Sequence, residues 1–74
     1  MDYKEIIGSD PAIMLGKPII KGTRITVELI IKKLSEGLSP EEIIDAYPSL
    51  NRDQILAALA YTFDIISREE TLAA

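Results

Sequence analysis

From Thr26 onward the apolar residues fall at a helical period. Val27, Ile30, Ile31 and Leu34 recur at i, i+3, i+4 and i+7, while Glu28, Lys32, Lys33, Ser35 and Glu36 take the other face. This predicts an amphipathic helix of about ten residues, with Thr26 capping its start and Gly37 its end. Before Thr26 the apolar pieces are short: Ile6-Ile7, Ile13-Met14-Leu15 and Ile19-Ile20. They are separated by Gly8-Ser9-Asp10-Pro11, Gly16-Lys17-Pro18 and Lys21-Gly22-Thr23. Pieces this short between turn formers predict strands or an extended arm over residues 1–25. Pro18 cannot donate to a ladder and belongs at a strand start or an edge.

Two further helix starts are fully marked. Ser39 precedes Pro40 and lies three residues before Glu42, which makes a capping box with proline at the first helical position. Asn51 and Gln54 repeat the spacing. Leu38 with Ile43, and Leu50 with Ile55, occupy the two positions of a hydrophobic staple. Tyr47-Pro48 ends the helix that begins at Pro40, near Ala46. A short helix, a tight turn and a longer helix from Arg52 to about Ser67 form the outline of a helix-turn-helix. The last residues, from Glu69 to Ala74, are expected to fray.

The third helix is apolar nearly all round. Between Ile55 and Ile66 only Thr62 and Asp64 are polar. Ile55, Leu59, Phe63 and Ile66 form one stripe, widened by Leu56 and Ala60, and this is taken as the side facing the core. Ala57, Ala58, Tyr61 and Ile65 lie on the other side. A helix apolar on every side must be covered on every side. Two short helices and a hairpin cannot do that within 74 residues. The Ala57, Ala58, Tyr61 and Ile65 face is therefore expected to meet another chain, with a homodimer as the leading arrangement. A domain this small gains from such a partner.

Composition removes whole classes of function. The chain has no cysteine and no histidine, which excludes disulfides, the usual zinc sites and Cys/His nucleophile pairs. Gly16-Lys17 is not a phosphate loop, because the Walker pattern needs glycine at position 11 and serine or threonine at 18, and both are proline. Glu41, Glu42 and Asp45 sit on one short helix, mostly where acids favour a helix start. No matched acid, base and nucleophile emerges. The expectation is a protein without catalysis, cofactor or small-molecule substrate. No apolar run is long enough for a membrane helix and no signal peptide is visible, so a cytoplasmic location is expected.

Net charge is −4, unevenly spread. Residues 11–27 carry +3 from Lys17, Lys21 and Arg24, against −2 for residues 1–10 and −5 for residues 28–74. Anion binding should therefore use Lys17, Lys21 and Arg24, which can reach phosphates from a turn-rich arm. Arg24 equally suits an internal anchor to Asp10 or Glu42. In a helix-turn-helix the start of the second helix faces base edges. Arg52 pairs well with guanine and Gln54 with adenine, although Gln54 is also needed by its capping box and Asp53 repels phosphate.

One stretch carries a resemblance. Gly16-Lys-Pro-Ile-Ile-Lys-Gly-Thr-Arg-Ile25, with Asp10-Pro11 before it, is similar to the GxPxIxGTRI signature of the prokaryotic family called domain of unknown function 433. Gly37-Leu-Ser-Pro-Glu-Glu-Ile43, Tyr47-Pro-Ser-Leu50 and the stretch from Ile55 to Tyr61 resemble that family's second half. The resemblance covers about residues 6–61. It implies a homeodomain-like helix-turn-helix fold with an N-terminal β element. It also implies an antitoxin of a type II toxin–antitoxin pair, binding operator DNA and a toxin such as a PIN-like ribonuclease. The combined expectation is a mainly α domain over residues 1–74: a β-hairpin or arm over 1–25 and three helices over 26–74. The rival expectation is a protein-interaction module that dimerises through the third helix and never touches DNA.

Overall fold

The computed structural model describes residues 2–73, and side chains up to residue 68. The chain begins with a single 3-10 turn at Tyr3–Glu5, capped by the Asp2 side chain. Next come two short strands, β1 (Ile7–Gly8) and β2 (Ile19–Ile20), and then three helices: α1 (Val27–Ser35), α2 (Pro40–Ala46) and α3 (Arg52–Ala73). The molecule is mainly helical with a small two-stranded antiparallel sheet.

The hairpin pairs within the chain, Ile7 opposite Ile20 and Gly8 opposite Ile19. Further backbone bonds tie it to the N-terminal turn and to α1. The Lys21 N–H donates to the Ile6 carbonyl at 2.9 Å and the Val27 N–H to the Pro18 carbonyl at 3.0 Å. Pro18 thus stands just before β2, where its missing N–H costs nothing. Ile13-Met14-Leu15 is no strand. Asp10 closes one tight turn to Ile13, and Ile13 closes another to Gly16. Met14, Leu15 and Gly16 all take left-handed backbone, with φ of 50°, 59° and 77°. That conformation costs a residue with a Cβ, and local hydrogen bonding within the two turns holds it in place.

The helix boundaries reflect their caps. The Thr26 hydroxyl accepts from the Leu29 N–H at 3.0 Å. Both halves of the Ser39–Glu42 box form, at 3.2 and 2.9 Å. So do both halves of the Asn51–Gln54 box, at 2.8 and 2.9 Å. α1 ends in a Schellman motif: Leu38 N–H reaches the Lys33 carbonyl, Gly37 N–H reaches the Leu34 carbonyl, and Gly37 has φ 97°. A β-carbon at Gly37 would make this turn strained. α3 runs to Ala73, past the end expected near Ser67. The fraying expected from Glu69 to Ala74 does not appear through Ala73, where the backbone stays helical, and Ala74 lies outside the described residues.

The core joins every element. Ile7 and Ile20 from the hairpin, Val27 and Ile30 from α1, Ile43 from α2, Leu50 from the turn, and Ile55, Ala57 and Ala58 from α3 form one buried cluster. This overturns the expected orientation of α3. Ala57 and Ala58, expected at an interface, are 0% exposed. Leu56, Leu59, Phe63 and Ile66, expected in the core, are exposed. The inward side of α3 carries one large residue, Ile55, beside two alanine methyl groups, and all three are 0% exposed, so a core at native packing density closes there without the larger residues.

Two substitutions check this orientation. Ile55→Ala, at a wholly buried site, should cost about 2–5 kcal/mol of unfolding free energy. Ala58→Leu should cost about 1–3 kcal/mol through overpacking, read by urea denaturation. A neutral Ala58→Leu would return that residue to the surface.

Candidate protein-interaction surface

α3 turns by about 100° per residue, so its two sides separate cleanly. Ala57, Ala58 and Tyr61 turn toward the core, and Leu56, Leu59, Phe63 and Ile66 turn away from it. The outward residues are spaced by three, four and three, which aligns them into one ridge along the helix. Phe63 is 70% exposed, and the other three lie between 42% and 47%. Isolated exposed apolar residues are ordinary, whereas a contiguous ridge of four is a candidate interaction surface. The sequence displays this ridge. It does not display which of two apolar stripes faces inward.

The N-terminal turn locks the rotation of α3 from a third side. The Tyr3 ring meets the Tyr61 ring edge-on, with centroids 5.5 Å apart and planes at 86°. The Tyr3 hydroxyl donates to Asp64 Oδ2 at 2.5 Å. That hydrogen bond to a carboxylate is the main reason the Tyr3 hydroxyl titrates above its usual range. Tyr61, expected at an interface between chains, is therefore half-buried against the chain's own N-terminus. Ile65 is half-buried too. With Pro18, Val27, Ile31, Tyr61 and Thr62 it lines an apolar groove of about 290 Å³ between α1 and α3.

Most residues expected to bind nucleic acid are already engaged within the chain. Lys17 Nζ is paired with Glu28 at 2.9 Å, and this bond is the chief cause holding the Glu28 carboxyl below its usual range. Lys21 Nζ donates to the Lys4 carbonyl at 3.0 Å. Arg24 is exposed, and among the described residues it bonds neither Asp10 nor Glu42. With Lys17 and Lys32 it borders a second hollow of about 290 Å³ beside the start of α1. Arg52 is paired with Glu41 of α2. The Glu41 carboxyl lies below its usual range, held there first by its own backbone N–H and then by Arg52. Gln54 Oε1 is occupied by the Asn51 N–H.

A further feature has no clear signal in the sequence. Leu15 is 93% exposed on its left-handed backbone, beside half-exposed Met14. Only Gly16, the third left-handed residue, hints at a turn there. No helix among the described residues is long and apolar enough to cross a membrane.

This fold, three capped helices on a two-residue-strand hairpin, is that of a known class. The family model "Protein of unknown function (DUF433)" matches residues 7–62. The chain belongs to this family. It is 36% identical over 58 residues to "Uncharacterized protein y4eO" of Sinorhizobium fredii (strain NBRC 101917 / NGR234). That match takes in 78% of this chain and 26% of the relative, so the chain spans about a quarter of the relative's length. The crystal structure of a DUF433 member protein from Anabaena variabilis ATCC 29413 superposes with a TM-score of 0.80 at 24% identity. It covers 96% of this chain and 71% of that one, and it shows the shared fold.

The Tyr3–Asp64 bond generates a prediction on the alkaline side. A phenol whose pKa is raised by folding contributes stability that is complete below its unfolded value and lost as pH rises through the folded one. Thermal stability measured by circular dichroism should therefore fall above pH ~10, as tyrosinate forms beside the Asp64 carboxylate. Tyr3→Phe should lower stability at neutral pH and flatten this alkaline step. An identical alkaline profile in the variant would remove Tyr3 as its source.

Proposed function

We propose that this chain is a non-catalytic protein-interaction module that works through the outer face of α3. The observation carrying this reading is the ridge of Leu56, Leu59, Phe63 and Ile66, which the folded chain leaves uncovered. The core closes without it, because the side of α3 that meets α1 and α2 is built from Ile55, Ala57 and Ala58. Net charge of −4 and the Lys17–Glu28 and Arg52–Glu41 pairs leave little free positive charge for a polyanion. They leave an apolar contact as the stronger source of affinity.

A second reading is the antitoxin-type regulator that the family resemblance implies. It has a homeodomain-like helix-turn-helix, operator DNA held by Lys17, Lys21, Arg24, Arg52 and Gln54, and a PIN-like ribonuclease as toxin partner. Two observations favour it. α2 and α3 are joined by the short Tyr47–Asn51 turn, with both helix starts capped. Arg24 also keeps an exposed guanidinium. In this reading the chain is a cytoplasmic regulator, and a toxin would occupy apolar surface of α3.

The module reading is tested by cross-linking in the host cell. Wild-type protein should give discrete adducts through α3, and Phe63→Glu should lose them while its circular dichroism stays unchanged. Adducts that persist in the variant would take α3 out of the reading. The antitoxin reading is tested by fluorescence anisotropy against the chain's own upstream duplex and a scrambled one. Arg24→Ala should weaken binding to both and flatten the salt dependence by about one unit of slope. Equal weak binding of the wild type to both duplexes would dismiss an operator role.

A further inference from the structure

We infer that the occupant of the α3 ridge is a second copy of this chain, its α3 lying antiparallel across the first about a twofold axis that passes between Leu59 and Phe63. The inference rests on reading α3 as an interaction surface, and it adds the partner and the geometry.

The ridge is self-complementary. Its spacing of three, four and three reads the same in both directions, with its centre at position 61. Reversing the helix brings Leu56 against Ile66 of the other copy and Leu59 against Phe63. An isologous twofold contact requires a patch that matches its own reverse in this way. The spacing is also that of a coiled-coil seam. It is bounded on both sides, by Arg52 in one direction and by position 70, a glutamate in the sequence, in the other. So short a seam suits a brief antiparallel crossing rather than a sustained parallel coil.

Electrostatics points to the same occupant. A chain of net charge −4 repels its own copy wherever its surface is charged. Between Asp53 and Arg68 the only charge on α3 is Asp64, and that residue is turned from the ridge toward Tyr3. The ridge is flanked by Ala60 and Thr62, small enough for two helices to approach closely. An in-register parallel pair would place Arg52 beside Arg52 at the end of the seam and align two helix dipoles, whereas the antiparallel pair opposes the dipoles.

The size of the surface sets the strength. Four side chains exposed by 42% to 70% present roughly a few hundred Å² of apolar surface. Two such patches face to face reach only the lower end of specific interfaces, which start at about 1,200 Å² in total. The dimer should therefore be reversible at micromolar concentrations.

Sedimentation equilibrium of the 74-residue chain should give a mass of twice 8.2 kDa, falling to the single mass on dilution. Phe63→Glu, at a site 70% exposed, should stay monomeric with unchanged circular dichroism. Because the chain has no cysteine of its own, orientation can be read by disulfide trapping. Leu56→Cys mixed with Ile66→Cys should cross-link, while either variant alone should not. Self-cross-linking of Leu56→Cys alone would overturn the antiparallel geometry. A wild type that stays monomeric throughout would overturn the second copy, and this holds even if the ridge captures a different protein. In that case α3 would remain an interaction surface.

Discussion

The burial of Ala57 and Ala58 in the cluster shared with the hairpin, α1 and α2 sets the rotation of α3, and with it which of its residues stay outside. Both residues are 0% exposed. Their methyl groups pack beside the wholly buried Ile55 in that cluster. Turning α3 to bury its other large residues would overpack the cluster around Ile30 and Ile43, which are each 1% exposed. Ile55 and the two alanines thus hold the inside position, and the other large residues are left outside. Tyr3 reinforces this setting from the N-terminal side by packing on Tyr61 and bonding Asp64.

The features legible in the sequence are those that depend on near neighbours. Thr26, Ser39 and Asn51 are recognisable as caps, and Gly37 as a terminator, because each acts within three or four residues of itself. The hairpin is legible from turn formers around short apolar pieces. The face of α3 is not, because periodicity identifies stripes but carries no sign. Ile55, Leu59, Phe63 and Ile66 look like a core stripe by volume, yet only Ile55 is buried. The deciding quantity, the room the core leaves on each side of the helix, is a tertiary property. The Met14–Leu15 turn is hidden for a related reason: neither side chain signals left-handed backbone, and the conformation is held by hydrogen bonds around it.

The charged candidates show the same division. Lys17, Lys21, Arg24 and Arg52 are identifiable from the sequence as the bases worth watching, but the partners of Lys17, Lys21 and Arg52 lie eleven or more residues away. Glu28 and Glu41 are visible as acids on helix starts. That they answer Lys17 and Arg52 depends on how the arm and α2 are laid against their neighbours. Both pairs are exposed, and exposed ion pairs add little to stability. Their effect here is on the field: each removes one free cation from a surface that is already acidic.

A small domain pays for every uncovered apolar residue, and this one leaves four large ones in line. Chains of this length bury a smaller share of their surface than larger ones do, so a ridge with no use would be an aggregation liability. The ridge is confined to one helix face, free of backbone edges and bounded by charge at Arg52 and at position 70, a glutamate in the sequence. Those features limit what can sit on it. A strand has no unpaired edge to join, and a polyanion meets no cation along the seam. Another helix with an apolar stripe of the same pitch fits, and the chain carries one such helix itself.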